Sequence, residues 1–140
     1  MPAYYRLFIS HAWKYGDDYE RLVSLLDNEY SFNWLNWSAP EDKPAIPSWM
    51  TVPDQVVAQK IAEKVNAADC VIVIAGMYAH YSDWIQAEMN IALHLNKPLI
   101  GVKPWGSEKM PQAVSQRTKE DVGWNTGSII YAIKRYIYPR

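Results

Sequence analysis

The stretch CVIVIA, residues 70–75, decides the class of fold that this chain adopts. Its apolar residues follow one another without a polar interruption, which is typical of a β-strand covered on both faces. Strands of this kind belong to parallel sheets, in which a helix joins each strand to the next. We therefore expect the rest of the chain to alternate short apolar strands with amphipathic helices.

Signals of both kinds occur on either side of this strand. Apolar runs bounded by turn residues predict strands, and apolar residues at helical spacing predict helices. The predicted strands are Tyr5–Ser10, Phe32–Trp37, Cys70–Ala75, Lys97–Val102 and Asp121–Asn125. The predicted helices are Asp17–Asp27, a segment from a capping box at Thr51 and Asp54 to about Asn66, a helix opened by Ser82, a weak helix over about Met110–Thr118, and Ser128–Ile137. Four prolines within Ser38–Pro53 predict a long loop.

This alternation predicts an α/β fold with a five-stranded parallel sheet and helices on both faces. The common strand order for such a sheet is 2-1-3-4-5, with a switch point between the first and third strands. The chain contains no internal repeat and no segment with the composition of a linker, so we predict that residues 1–140 form a single domain.

Composition argues against several classes of partner and location. Fourteen basic and fifteen acidic residues give a net charge of -1 without a Lys/Arg cluster, which argues against nucleic acid and anionic membranes. Cys70 is the single cysteine, which excludes a disulfide within the chain and favours a reducing compartment. The start of the chain lacks a signal-peptide pattern, and the longest apolar run, Val71–Ala79, is too short for a membrane span. The predicted location is the cytoplasm.

Ligands of open α/β sheets bind at the carboxyl ends of the strands, next to the switch point. Two segments border that position, SHAW at Ser10–Trp13 and GMYAHYSDW at Gly76–Trp84. The candidate substrate-binding residues within them are Ser10, His11, Trp13, Tyr78, Tyr81, Ser82 and Trp84. Structural interpretations of His11 as a loop or capping residue and of Ser82 as a helix N-cap compete with these roles.

Six of the seven tryptophans map to this same edge of the predicted sheet. They are Trp13, Trp37, Trp49, Trp84, Trp105 and Trp124. One interpretation is a surface that stacks on a base or a nicotinamide ring. The other is that these rings seal the ends of a small core.

Glu88 stands out in the helix that follows the third strand. On a helical wheel it lies inside an apolar stripe made by Trp84, Ile85, Ile91, Ala92 and Leu95. A carboxylate in such a position must be desolvated, so it needs either a structural partner or a chemical role. An ionised carboxylate near C1 of a ribose could stabilise the positive charge that develops during glycosidic cleavage.

Several familiar sites are absent from the sequence. It contains neither G-x-G-x-x-G nor G-x-x-x-x-G-K-[ST], and it lacks the G-x-S-x-G elbow of α/β-hydrolases. The three histidines and one cysteine show no metal-ligand spacing, so no metal is predicted. A phospho-acceptor receiver would carry an aspartate at the end of the third strand, where this chain has Ala75 and Gly76.

Four blocks of the sequence resemble a known family. They are YRLFISHAW, ADCVIVIAGMYAHYSDWIQAEMNIAL, KPLIGVKPWG and VGWNTGSIIYAI. Together they are similar to the ThsB-like TIR proteins of bacterial Thoeris antiphage defence, over about Tyr5 to Ile137. The most specific block is Tyr-x-x-Tyr-Ser-x-Trp-Ile-x-x-Glu, which ends at Glu88.

The resemblance implies a flavodoxin-like TIR fold and cleavage of NAD+ between nicotinamide and ribose. NAD+ is then the substrate, and no further cofactor is expected. The implied product is an ADP-ribose-derived signal, cyclic or conjugated, that activates a separate effector protein. The resemblance also implies a homo-oligomeric assembly and a trigger supplied by the phage.

The resemblance assigns roles by position. Glu88 matches the catalytic glutamate of the family, and Ser10 and His11 match the segment that borders the NAD+ site. Tyr81, Ser82 and Trp84 match the residues that lead into the catalytic helix. The loop SAPEDKPAIPSWM lacks the Arg and Pro-Gly pair of receptor TIR domains, so assembly contacts of those domains are not transferred.

Two other functions stay open at this point. One is a non-catalytic TIR-like module for protein interaction, in which Glu88 is structural. The other is an enzyme like the nucleoside deoxyribosyltransferases, in which Glu88 would form a covalent bond to the sugar.

Overall fold

The computed structural model describes residues 3–10, 17–38, 53–103 and 110–140, with the side chains of 17 and 76–81 left aside. Strands and helices alternate along these ranges. The strands are β1 (Tyr5–Ser10), β2 (Trp34–Asn36), β3 (Cys70–Ile74), β4 (Leu99–Val102) and β5 (Glu120–Val122). The helices are α1 (Asp17–Asp27), α2 (Gln55–Ala67), α3 (Ala75–His94), α4 (Gln112–Ser115) and α5 (Thr126–Tyr136).

The described strands form one parallel sheet with the order β2-β1-β3-β4-β5. This confirms the predicted fold class and strand order. All five residues of β3 are buried, as its unbroken apolar sequence predicted. Among the helices, α1 contacts α5, while α3 contacts both α2 and α4. The sheet therefore lies between two groups of helices.

The predicted start of α3 at Ser82 is wrong. The helix begins at Ala75, directly after β3, so Ser82 lies inside it and is not its N-cap. Residues 76–81 contain no proline, so helical hydrogen bonding can run without interruption from Ala75 past Ser82. A good capping residue in the sequence indicates a helix start only where the upstream chain is not already helical.

The predicted capping box at the start of α2 is also wrong. Asp54 is itself the N-cap, and its Oδ1 atom accepts a 2.8 Å hydrogen bond from the backbone N–H of Val57. Asp54 therefore stabilises the first turn of α2 directly. Thr51 lies outside the described residues.

A row of side chains crosses the sheet near its carboxyl edge. The strand register aligns Ser10 with Val73, Val73 with Gly101, and Gly101 with Asp121. Aligned residues of neighbouring strands project to the same face of a sheet. Asp121 leans over Gly101, and its Oδ1 atom accepts a 2.6 Å hydrogen bond from the Thr118 hydroxyl. Gly101 thus leaves the space that this carboxylate occupies.

We expect Gly101→Ala to destabilise the protein by about 1 kcal/mol, the usual value of one lost hydrogen bond. A Cβ atom at this position would lie against Asp121 Oδ1 and 2.9 Å from Met110 Cε. Both atoms end flexible side chains, so the carboxylate would turn away from Thr118 rather than force the strand apart. Urea unfolding of the variant measures the change.

Gly123→Ala is the matched control, because a Cβ atom at Gly123 would meet nothing within 4 Å. Its free energy of unfolding should stay within about 0.5 kcal/mol of the wild type. An equal loss in both variants would contradict this role of Gly101. Loss of the Gly101→Ala effect in an Asp121→Ala background would confirm the contact.

Residues near the two chain ends meet at the amino edge of the sheet. The backbone N–H of Tyr4 donates to the carbonyl of Arg140 at 3.1 Å, and the N–H of Arg140 donates to the carbonyl of Tyr4 at 2.9 Å. The Arg140 guanidinium also pairs with Asp69, the residue before β3, at 2.7 Å. These contacts fix residue 140 beside the start of β1.

None of the helices in the described part of the chain combines the length with the apolar character that crossing a bilayer requires.

Candidate functional site

A serine and a glutamate meet inside the protein where β1 ends. The Ser10 hydroxyl donates a 2.7 Å hydrogen bond to Oε1 of Glu88, although 78 residues separate them in the sequence. Ser10 is 0% exposed and Glu88 is 2% exposed. A buried carboxylate of this kind requires donors, because its desolvation is costly. Ser10 supplies one of them.

The helical wheel correctly placed Glu88 on the buried face of α3. Trp84, Ile85 and Ala92 are buried on the same face, whereas Ile91 and Leu95 are half-buried. Met89 is fully buried as well, which the predicted stripe did not include. The carboxylate thus lies between apolar neighbours one turn away on either side.

A helix opened by Ser82 predicts that Glu88 lies about one turn from the start of its helix, and this expectation is wrong. Since α3 begins at Ala75, Glu88 follows that start by thirteen residues rather than by about one turn. This places it about 20 Å along the helix axis at 1.5 Å per residue. The bond to Ser10 nevertheless sets Glu88 beside the carboxyl end of β1, which is the edge where ligands of such sheets bind.

A second hydrogen-bonded group lies on the other side of the end of β1. The backbone N–H of Ile9 donates to the hydroxyl of Ser38 at 2.8 Å. The Ser38 hydroxyl donates in turn to Oδ1 of Asn36. The Asn36 amide donates to the Tyr19 hydroxyl at 2.7 Å. Ser38 escaped the sequence analysis because it stood at the start of the predicted loop. The Asn-x-Ser spacing after a strand is the signal that could have found it, since both residue types bond to nearby backbone.

The structure describes only some of the predicted substrate-binding residues. Ser82 is half-buried inside α3, and Trp84 is 3% exposed within the hydrophobic core. His11 and Trp13 lie outside the described residues, as do the side chains of Tyr78 and Tyr81. The structure therefore brings Ser10 to Glu88, with Trp84 one turn earlier on the same face.

The described tryptophans of the predicted edge are packing residues. Trp84 belongs to the core, and Trp37 and Trp124 are half-buried against it. The ammonium of Lys64 lies 5.4 Å from the centre of the Trp37 ring, and the buried Trp37 indole N–H has no hydrogen-bond partner among the described residues. These three rings fit the core-sealing interpretation. Trp13, Trp49 and Trp105 lie outside the described residues.

The described residues favour neither a cysteine nucleophile nor a metal site. Burial raises the pKa of the Cys70 thiol above its usual range, and the charge of Asp69 raises it further, so Cys70 is not a nucleophile at neutral pH. Within the described ranges, His, Cys, Asp and Glu side chains form no group of three that could hold a metal ion.

An open groove of about 610 Å³ lies between α1 and the start of α5, where Arg21 and Trp124 line it. The described residues that line this groove do not include any residue of α3, which carries Glu88. The groove is therefore not part of the Ser10–Glu88 site.

Comparisons with known proteins agree with this architecture. The family model described as Thoeris protein ThsB, TIR-like domain, matches residues 8–109, which is well over half of the chain. No curated protein matches the sequence. Solved structures do match, and one of them is the CMP N-glycosidase BcmB of Clostridium botulinum.

The alignment with that structure covers 94% of this chain and 99% of the other, at 15% sequence identity and a TM-score of 0.53. At this level of identity the likeness concerns the fold. The parallel α/β architecture is therefore shared over almost the full length of both chains.

Proposed function

Since this chain belongs to the family of Thoeris ThsB TIR-like domains, we propose that it cleaves NAD+ between nicotinamide and ribose. The observation that carries the proposal is the buried Glu88 carboxylate held by Ser10 beside the carboxyl end of β1. A carboxylate fixed in apolar surroundings interacts strongly with a nearby positive charge. Cleavage of a ribosyl bond develops such a charge at C1.

In the proposed reaction, the bond between ribose C1 and the pyridinium nitrogen breaks. Nicotinamide leaves as a neutral molecule with the electron pair of that bond, and the ribose carries the positive charge as an oxocarbenium-like centre. Glu88 stabilises this centre. A nucleophile then bonds to C1 and loses a proton, and its identity decides the product.

Three nucleophiles are chemically reasonable. Water gives ADP-ribose, an atom of the same molecule gives a cyclic product, and a second molecule gives a conjugate. The neutral leaving group reduces the need for a separate acid. In this proposal the Ser10 hydroxyl, which donates to Glu88 Oε1, holds the carboxylate in place.

The remaining residues have supporting roles in the proposal. Trp84, Ile85 and Met89 form the apolar surroundings that keep water from Glu88. Contacts to NAD+ are proposed for His11, Trp13, Tyr78, Tyr81 and Ser82. NAD+ is the substrate, and the mechanism uses no further cofactor or metal.

The Thoeris family implies a defence system with further components. We propose that the ADP-ribose-derived product activates a separate effector in the cytoplasm. The proposal includes a homo-oligomeric enzyme and a trigger that accompanies phage infection.

A second candidate is cleavage of the glycosidic bond of a pyrimidine nucleotide. It is favoured by the shared fold of the CMP N-glycosidase, which aligns over almost the whole of both chains. The same carboxylate could act at C1 of that substrate, and the deoxyribosyltransferase-like alternative belongs to this group of reactions. A non-catalytic module, in which the Ser10–Glu88 pair is structural, is the contrasting hypothesis.

Mass spectrometry of parallel incubations separates these functions. Purified protein is given NAD+, CMP, or a deoxynucleoside with a free base, each with and without lysate from phage-infected cells. Nicotinamide from NAD+ supports the first proposal, and cytosine from CMP or exchange of bases supports the second group. A product mass of ADP-ribose less water identifies a cyclic signal, and a larger mass identifies a conjugate. Turnover of none of them would favour the interaction module.

A further inference from the structure

We propose that Ser38 is a positioning residue, which holds the end of β1 where Ser10 meets Glu88. The proposal rests on the proposed function, because it concerns the geometry of the same site. Ser38 is 3% exposed and lies two residues beyond β2. It does not contact Glu88 in the described hydrogen bonds, so it would act through β1.

The pairing of β2 with β1 ends before β1 does. The last aligned pair of residues is Leu7 with Asn36, followed by a 2.8 Å hydrogen bond from the Trp37 N–H to the Leu7 carbonyl. Ile9 is the next residue of β1 whose N–H is directed toward this side. The Ser38 hydroxyl accepts it at 2.8 Å. A side chain thus continues the sheet for one step beyond the backbone pairing.

The Ser38 hydroxyl is itself fixed on its other side. It donates to Oδ1 of Asn36, and the Ser38 backbone N–H donates to the same oxygen at 2.9 Å. The Asn36 amide then donates to the hydroxyl of Tyr19 in α1. One buried hydroxyl therefore connects β1 with the end of β2 and with α1.

This connection acts on the residue next to Ser10. Ile9 and Ser10 are adjacent in the chain, so a displaced Ile9 amide moves the Ser10 hydroxyl as well. Productive geometry at a catalytic site has to be held within about 0.5 Å, and a 1 Å error can cost about 100-fold in rate. Loss of the Ser38 hydroxyl should therefore lower turnover while substrate contacts elsewhere persist.

The first test compares kcat and KM for NAD+ cleavage in the wild type, Ser38→Ala and Ser38→Thr. Ser38→Ala should lower kcat by about 10-fold and change KM less than about 2-fold, because a shifted carboxylate affects the transition state more than binding. Ser38→Thr keeps the hydroxyl and should restore most of kcat. Ser31→Ala is the matched control, since Ser31 also bonds through its side chain, to Glu29, but is exposed.

A double-mutant cycle distinguishes positioning from general stabilisation. If Ser38 acts through Ser10, then Ser38→Ala should have little further effect on kcat in a Ser10→Ala background. The proposal would be overturned if the loss of kcat in the double variant equalled the product of the losses in the two single variants. An unchanged kcat in folded Ser38→Ala would overturn it as well. If Ser38→Ala fails to fold, Tyr19→Phe gives the test, because it removes the hydroxyl that accepts the hydrogen bond of the Asn36 amide. Tyr19→Phe should also lower kcat, and a kcat equal to that of the wild type in this variant would overturn the proposal.

A second readout needs no turnover. The carboxyl carbon of Glu88 in 13C-labelled protein should shift in Ser38→Ala toward its position in Ser10→Ala, and should stay near wild type in Ser31→Ala. An unmoved Glu88 signal in Ser38→Ala would overturn the positioning role. If the wild type cleaves no substrate, the proposed function fails while this spectrum still decides the role of Ser38.

Discussion

Glu88→Gln should reduce nicotinamide release from NAD+ by at least about 100-fold, the usual loss when one preorganised electrostatic group is removed. The amide keeps the volume of the carboxylate and still offers Ser10 an acceptor oxygen, but it cannot balance a positive charge at C1. Mass spectrometry of NAD+ incubations measures the release, under whichever condition activates the wild type.

Stability separates this explanation from a structural one. If Glu88 serves chemistry, Glu88→Gln should leave the free energy of unfolding nearly unchanged. The reason is that burying an amide costs less desolvation than burying a carboxylate. If Glu88 were half of a buried ion pair, the same change would cost about 3–5 kcal/mol. Glu63→Gln is the control, because Glu63 is an exposed glutamate on α2. Wild-type release by Glu88→Gln would refute the catalytic assignment.

The largest loss of stability is expected for Trp84→Ala, at about 3–5 kcal/mol. Trp84 is 3% exposed and belongs to the core cluster, so its removal leaves a cavity that neighbouring side chains fill only partly. Urea unfolding, followed by circular dichroism, measures the change in the free energy of unfolding. Trp84 also lies one turn before Glu88, so activity should fall with stability.

Trp124→Ala provides the comparison, because Trp124 is half-buried and lines an open groove. It should cost clearly less than Trp84→Ala, and Trp84→Phe should recover part of the loss. A change below about 1 kcal/mol in Trp84→Ala would mean that the ring makes no important packing contribution. It would return Trp84 to consideration as a residue that contacts substrate directly.

Short-range patterns in the sequence predicted the architecture well. The unbroken apolar run of β3 and the helical spacing of α1 each reflect burial by the sheet, so both kinds of element followed from them. The strand order followed from the order that is common for such a sheet. The same periodicity placed Glu88 on the buried face of α3. Boundaries were less accurate, because Ser82 is a good capping residue by type but lies inside a helix that already begins at Ala75.

The site itself depended on contacts that sequence patterns do not contain. Ser10, a hydrogen-bond partner of Glu88, lies 78 residues earlier in the sequence, and the packing of α3 against β1 brings the two together. The contact of Ser38 is also distant in the sequence, since its partner Ile9 lies 29 residues earlier. Similarly, Trp37 and Trp124 lie within two residues of the ends of β2 and β5, near strand ends as predicted, but the direction of each ring depends on packing.

The backbone bonds between Tyr4 and Arg140 have a practical consequence for attaching labels or fusion partners. Anything joined near either of these residues emerges from the same place, at the opposite end of the strands from Ser10 and Glu88. A fluorescent donor and acceptor attached near Tyr4 and Arg140 would lie close together, and their separation would report when the hydrogen bonds between these two residues break. A bulky tether at either position would also leave the region around Ser10 and Glu88 clear.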